Sequence, residues 1–272
     1  MKPAETLFSV KDKVIAIIGS TGILGQQYVE FLSMSGASVA MGDIDKDKCF
    51  ALEDEMKKRY GTDIMAYHID ISNEEMTDGF FNAIIKKYSR LDVLINNVQT
   101  KPDGFYAPFE KYKRETLARV LDANLGGAVI ACQKACRIFL KQGYGNIINI
   151  SSTYGNVGAD QRIYEGVKNI YSPDSPFSSP VSYAITKAGM INLTRYLASY
   201  YREKNIRVNC LTPGGVFDNH DELFVKNYSY RTLLGRMADK SEYNGAILFL
   251  ASDASSYMTG ANLIVDGGWT AI

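Results

Sequence analysis

Tyr183 and Lys187 stand four residues apart in a stretch of helical period (181–203), so their side chains share one helix face. A free phenol titrates near ~10 and is a poor base at neutral pH. A neighbouring ammonium favours the phenolate, which is expected to bring Tyr183 toward working pH. Such a pair can take a proton from a substrate hydroxyl or return it. With 18 tyrosines in 272 residues a chance Tyr-x-x-x-Lys match is cheap. The pair gains meaning only from its company.

That company begins near the N-terminus. Gly19-Ser20-Thr21-Gly22-Ile23-Leu24-Gly25 directly follows the continuous, β-branched run VIAIIG (14–19) and opens a helical pattern over 22–34. A glycine-rich turn between strand and helix lets the backbone approach a pyrophosphate, whose charge then sits at a helix N-terminus. Asp43 ends the next apolar run, 18 residues beyond Gly25. There a carboxylate can accept both ribose hydroxyls of an adenosine and repel a 2′-phosphate. Neither Ser20 nor Thr21 supplies a basic side chain, so NAD is expected in preference to NADP. The bland alternative is that Asp43 only starts a turn with Asp45 as a helix-capping acid.

The elements that must position these groups alternate along the whole chain. Strand-like runs occupy 14–19, 37–43, 63–70, 91–96, 145–151, 206–213 and 261–268. Helical patterns lie between them: 22–34, a charged helix through Tyr60, one from near Asn73, a long one containing Asn124, 181–203 and 241–251. This βαβα order predicts a single α/β domain, a doubly wound parallel sheet of Rossmann type in three α/β/α layers. Residues 153–180, with Pro173, Pro176 and Pro180, read as a long insertion loop rather than an element.

Composition excludes several function classes. Thirty basic and 30 acidic residues balance, with no charged tail, which argues against nucleic acid or an anionic membrane as partner. No apolar stretch reaches membrane-spanning length and the first residues lack a signal-peptide core, so a cytoplasmic location is expected. Cys49, Cys132, Cys136 and Cys210 show no framework spacing. Cys132 and Cys136 could share a helix face, yet no histidine completes a zinc site there, so no metal is expected. His68 and His220 are isolated in sequence.

Taken together, the motifs resemble the short-chain dehydrogenase/reductase superfamily over nearly the whole chain. The glycine run is similar to the family's TGxxxGxG, with Ile23 at the middle glycine. Asp70, followed by Ile71, matches the aspartate that contacts adenine. Asn96-Asn97 matches the start of the NNAG motif, although Val98-Gln99 replaces Ala-Gly. Asn124 in DANLGG, Ser152 in NISS, Tyr183-x-x-x-Lys187 with Ala188-Gly189, and Pro213-Gly214 match in order. Asp218 stands where a threonine often contacts the carboxamide. IVDGG (264–268) is typical of the compact branch.

The resemblance implies NAD(H)-dependent interconversion of a secondary alcohol and a ketone. Asn124, Ser152, Tyr183 and Lys187 would be catalytic: Ser152 on the substrate oxygen, Lys187 also on the nicotinamide ribose, Asn124 holding a water. The cofactor would lie on Gly19, Thr21, Gly22, Ile23, Leu24, Gly25, Asp43, Asp70, Ile71, Asn97, Pro213, Gly214 and Val216, as well as Tyr183 and Lys187. Similarity to gluconate-type and bacterial surface-sugar dehydrogenases implies a sugar-like small-molecule substrate. Family members commonly form homo-oligomers, dimers or tetramers, through the helices containing Asn124 and Tyr183. Two alternatives are a dinucleotide-binding regulator with weak turnover and an extended-branch epimerase, which would need a C-terminal substrate domain after the last strand.

Ser152 and Tyr183 are 31 residues apart, more than twice the interval usual in the family, yet must meet at one substrate oxygen. Residues 153–180 are therefore expected to loop out as a substrate-selecting lid, with Tyr154, Gln161, Arg162, Tyr164 and Lys168 as candidate contacts. Arg162 or Lys168 could pair with a substrate carboxylate or phosphate. A contact with a neighbouring subunit, or a surface excursion touching nothing, are the alternatives.

Overall fold

The computed structural model describes residues 3–171, 173 and 175–272. A short helix α1 (Ala4–Leu7) precedes β1 (Val14–Ile18), α2 (Ile23–Met34), β2 (Ser38–Asp43), α3 (Lys46–Tyr60), β3 (Ile64–His68), α4 (Glu74–Tyr88) and β4 (Val93–Asn96). Then follow α5 (Arg114–Leu121), α6 (Gly127–Gln142), β5 (Gly145–Ile150), α7 (Thr153–Asn156) and α8 (Val181–Tyr200). The chain continues with β6 (Ile206–Pro213), α9 (Glu222–Arg231), α10 (Asn244–Ala251) and β7 (Asn262–Val265). The seven strands pair in parallel in the order β3-β2-β1-β4-β5-β6-β7. This is the expected single-domain Rossmann-type sheet with a helical layer on each face.

Period-two alternation divides the core. Ile15 and Ile17 of β1 face one cluster with Tyr28 and Leu32 of α2 and Ile247 of α10. Val14, Ala16 and Ile18 face the other, with Phe80 and Ile84 of α4 and Phe139 of α6. A strand buried on both faces has no polar side to show, which is why its sequence is continuously apolar.

Strand order reverses beside β1, which pairs with both β2 and β4. At such a switch point the segments leaving the strands diverge to opposite faces and leave a crevice at the C-terminal edge. Helix ends are set locally: Asp45 and Asn73 accept from the Lys48 and Met76 amides, and Gly61 and Gly143 end α3 and α6 at φ 62° and 83°.

The helical region around Asn124 departs from a regular helix. Between α5 and α6 the backbone makes one π turn, Asp122–Gly126, a rare feature often found where a side chain must be re-aimed. The insertion is also more ordered than its proline content suggests. It holds α7, a 3₁₀ turn at Gln161–Tyr164, and an aromatic cluster; residues 172 and 174 of it lie outside the described residues. Helix α9, without a counterpart among the expected elements, packs on it through Phe224 and Tyr228.

Candidate active site

The glycine run shows why each glycine stands where it does. Gly19 has φ 82°, and a Cβ there would lie 2.7 Å from the Asn97 carbonyl oxygen. Gly25 faces inward, and its Cβ would overlap the Gly19 carbonyl oxygen. Gly22 differs: a Cβ would meet only the Gly19 oxygen, at 3.8 Å, so the protein's own packing does not demand a glycine. It is the N-cap of α2 and offers no side chain to that helix end, so the first amides of α2 are left for a ligand.

A cleft of about 770 Å³ opens there along the C-terminal edge of β1, β2 and β4. Gly19, Thr21, Gly22, Asp43, Asp70, Ile71 and Asn97 line it. Asp43 accepts from the Thr21 amide at 2.8 Å and the Asp45 amide at 3.0 Å, so it does hold a turn with Asp45 while also lining the cleft. Asp70 accepts from the Ser72 amide and hydroxyl. Asn97 ties the loop after β4 to β1 by donating to the Gly19 carbonyl at 2.8 Å. A glycine cradle, an uncapped helix start and a carboxylate at the end of β2 fit a dinucleotide.

A second compartment of about 440 Å³ adjoins the first, sharing Gly22, Asn97, Gln99 and Lys101 with it. Ile23, Leu24, Pro213, Gly214 and Val216 line it, together with Ser152, Tyr183 and Lys187. Of the residues expected at the cofactor, only Gly25 reaches neither compartment; its role is the close packing of α2 on the turn.

The polar groups converge at the end of β5. Tyr183 and Lys187 sit one turn apart on α8, with the lysine nitrogen 5.8 Å from the phenol ring centroid. Lys187 is 5% exposed and donates to the Ile150 carbonyl at 3.0 Å. Its neighbour Ser151 donates to the Lys187 carbonyl at 2.7 Å, fastening β5 to α8. Ser152 lines the same wall as Tyr183, and its side chain accepts from the Tyr154 amide at 3.3 Å.

Electrostatics here correct one expectation. Burial pushes the Tyr183 phenol up, and the contact that opposes this is Ser152, not the Lys187 ammonium. Lys187 is itself pulled down to about 8, chiefly by burial. Desolvation outweighs attraction for both groups, most clearly for the buried Lys187, while the phenol is partly withdrawn from water.

Asn124 lies on the π turn and is buried. Its carboxamide oxygen accepts from the Thr100 amide at 2.8 Å, while its nitrogen has no partner within the protein. Gln99 shows the opposite orphan: its nitrogen donates to the Thr100 carbonyl, and its buried side-chain oxygen is unpartnered between the two compartments. Asp218 is exposed and lines neither compartment; its amide donates to His220 Nδ1 at 3.1 Å.

The insertion contributes only part of what its sequence suggests. Tyr154 and Tyr164 line the second compartment, their hydroxyls 3.1 Å apart, and Tyr154 meets the Tyr183 ring edge-on at 6.4 Å. Gln161 faces away and accepts from the Ser179 amide. Arg162 is 78% exposed and forks onto Asp160, two residues before it, so the carboxylate it pairs with is the chain's own. Lys168 is exposed and lines neither compartment. Farther along, Tyr171 stacks on Tyr106 at 4.1 Å and Phe177 packs beside it, pinning the insertion to the loop after β4.

Among the wall residues that escape the sequence reading as site residues are Lys101, His220, Phe224, Tyr228 and Met237. The four-residue spacing of Phe224 and Tyr228 is the one local signal for a common helix face. All four cysteines are free and buried, and no cluster of three metal-ligating side chains occurs among the described residues. No described helix is long and apolar enough to cross a membrane.

Comparison with known proteins agrees with this geometry. The family described as enoyl-(acyl carrier protein) reductase matches residues 19–270. The post-translational flagellin modification protein A of Campylobacter coli is 29% identical over 262 residues, covering 96% of this chain and 99% of that protein. The trans-4-hydroxycyclohexanecarboxylate dehydrogenase of Sinomonas cyclohexanicum is 32% identical over 267 residues, covering 96% and 94%. A short-chain dehydrogenase from Leptospira borgpetersenii, solved with bound NAD+, superposes with a TM-score of 0.84 at 34% identity over 99% of this chain and 96% of that one.

Proposed function

The chain belongs to the short-chain dehydrogenase/reductase family of oxidoreductases, and from that premise we propose that it interconverts a secondary alcohol and a ketone with NAD(H), on a sugar-like substrate. The observation that carries this reading is the convergence of Ser152, Tyr183 and the buried Lys187, the last two one helical turn apart, in the wall of a cavity continuous with the dinucleotide cleft.

A bound nicotinamide supplies or accepts the hydride at the substrate carbon. The chain's own residues handle the rest. Tyr183 gives its proton to the substrate oxygen in reduction and takes it back in oxidation. Ser152 donates to the same oxygen and stabilises the charge that gathers there. Lys187, anchored on Ile150, holds a positive charge one turn below the phenol and offsets the phenolate when it forms. The free Asn124 amide nitrogen is suited to hold a water that refills the relay.

Asp43 supports NAD over NADP, because a carboxylate with no basic neighbour on the glycine loop repels a 2′-phosphate. Tyr154, Tyr164, Phe224 and Tyr228 supply aromatic faces and hydroxyls, which suit a polyhydroxylated ring. The flagellin modification relative points the same way. Residues 153–180 act as the substrate-selecting lid. Exposed Ile185, Tyr196 and Tyr200 on α8 suit packing against another copy as a homo-oligomer.

The test is a screen of sugars, sugar phosphates and ketoacids followed by NADH absorbance. Turnover of at least one secondary alcohol or ketone is expected; NAD(H) binding without turnover of any would favour a regulatory dinucleotide-binding protein.

A further inference from the structure

We propose that Lys101 and His220 form an anion-recognising pair in the second compartment, and that the natural substrate carries a carboxylate or phosphate besides its reacting hydroxyl. This rests on the oxidoreductase reading of the same site.

The argument starts from charge. Among the described residues lining that compartment there is no aspartate or glutamate; the ionised side chains are Lys101 and Lys187, both cationic. Lys187 is committed to the Ile150 carbonyl and the proton relay. Lys101 has no such duty: no carboxylate pairs with it among the described residues, and its side chain is exposed where the two compartments meet. A low-dielectric cavity lined by one sign of charge concentrates ligands of the other.

His220 supplies direction. Its Nδ1 accepts from the Asp218 amide, which leaves the proton of the neutral ring on Nε2 as a donor. The ring packs on Phe224 at 5.2 Å, which holds its plane. Partial desolvation of this exposed ring and the nearby Lys101 charge keep the imidazole below its ordinary range, against the pull of Asp218, so at neutral pH it donates a hydrogen bond without adding a second charge. One cation and one oriented donor suit an oxyanion. The cationic side chains that the insertion offers, Arg162 and Lys168, lie outside the cavity and leave this role open.

The neighbouring cofactor cleft provides the competing assignment, since Lys101 borders it too and a dinucleotide carries a diphosphate. The experiment must separate the two. Calorimetric titration of the NADH-loaded protein with D-gluconate, sorbitol 6-phosphate and uncharged sorbitol compares a carboxylate, a phosphate and a neutral polyol on similar chains. At least one anion is expected to bind about tenfold or more tighter than sorbitol. Lys101→Met, which keeps the aliphatic stem, is expected to abolish that margin while NADH affinity stays within about twofold, and His220→Phe to reduce it. Sorbitol binding as tightly as both anions, or a margin that survives Lys101→Met, overturns the proposal. So does equal weakening of NADH and anion, which would assign Lys101 to the cofactor diphosphate. Turnover is read separately with NAD+: anion binding without turnover would count against the oxidoreductase reading and leave the anion pair standing.

Discussion

The Lys187 ammonium donates to the carbonyl oxygen of Ile150 at 3.0 Å, so the buried cation on α8 is held by the C-terminal end of β5. One carbonyl replaces little of the hydration that burial removes. The charged form is therefore disfavoured and the lysine falls to about 8. The Tyr183 phenol moves the other way, up from its ordinary range.

These directions fix the sign of a pH effect. In the proposed mechanism, ketone reduction needs Tyr183 protonated and Lys187 charged. As pH rises, the lysine loses its proton first, because its value lies below the raised phenol. The kcat/KM for reduction should fall on the alkaline side with an apparent midpoint about 8. Lys187→Arg, which stays charged, should be slower but nearly flat between pH 7 and 9. A midpoint unchanged in that variant would assign the limb to another group.

Two glycines of one motif should respond oppositely to alanine. Gly25→Ala places a methyl against the Gly19 carbonyl and should cost about 1–3 kcal/mol of stability, seen as a lowered melting temperature. Gly22→Ala meets only the Gly19 carbonyl oxygen, at ordinary contact distance, so melting should be unchanged while NADH affinity drops roughly tenfold. Intact NADH binding in a stable Gly22→Ala protein would remove the dinucleotide from this turn.

In the proposed reading, Asp43 sets cofactor choice. NADH should bind at least about tenfold tighter than NADPH, the scale of a charge-assisted hydrogen bond lost and a repulsion gained. Asp43→Ala should weaken NADH and strengthen NADPH. Because Asp43 also holds the Thr21 and Asp45 amides, a merely loosened loop would weaken both cofactors. The rise in NADPH affinity separates the two explanations, and fluorescence titration measures it.

The strands were the most legible part of this chain, and the reason is physical. A run such as Val14–Ile18 is buried on both faces, so every residue must be apolar and the run stands out. The glycine turn, Asp43 and the Ser152, Tyr183, Lys187 series are legible because fixed spacing on known elements brings them together. What local sequence does not carry is the return of the chain over itself. Arg162 looks available until Asp160 is seen to hold it. Phe224 and Tyr228 show a helical spacing, but nothing nearby says that α9 packs against Tyr154 and Tyr164 to complete one wall. Lys187 lowering the phenol is the natural inference for two charges in water and fails where burial dominates.

The lid reading has a local test. Tyr171 is exposed apart from its ring contacts with Tyr106 and Phe177, so Tyr171→Ala should change stability by no more than about 1 kcal/mol. If that stack holds the insertion over the compartment, KM for the substrate should rise by up to roughly tenfold, with NADH affinity unchanged. An unaltered KM would show that the insertion is held by other contacts or does not gate the site.

The most direct test of the account is Tyr183→Phe, assayed by NADH absorbance on whichever alcohol or ketone the screen returns. The substitution keeps the ring that packs against Tyr154 and removes the hydroxyl to which proton transfer is assigned. The account predicts a folded protein with unchanged NADH affinity and turnover lowered by at least ~10²-fold, the scale of a lost general acid–base. Near-normal turnover would contradict it.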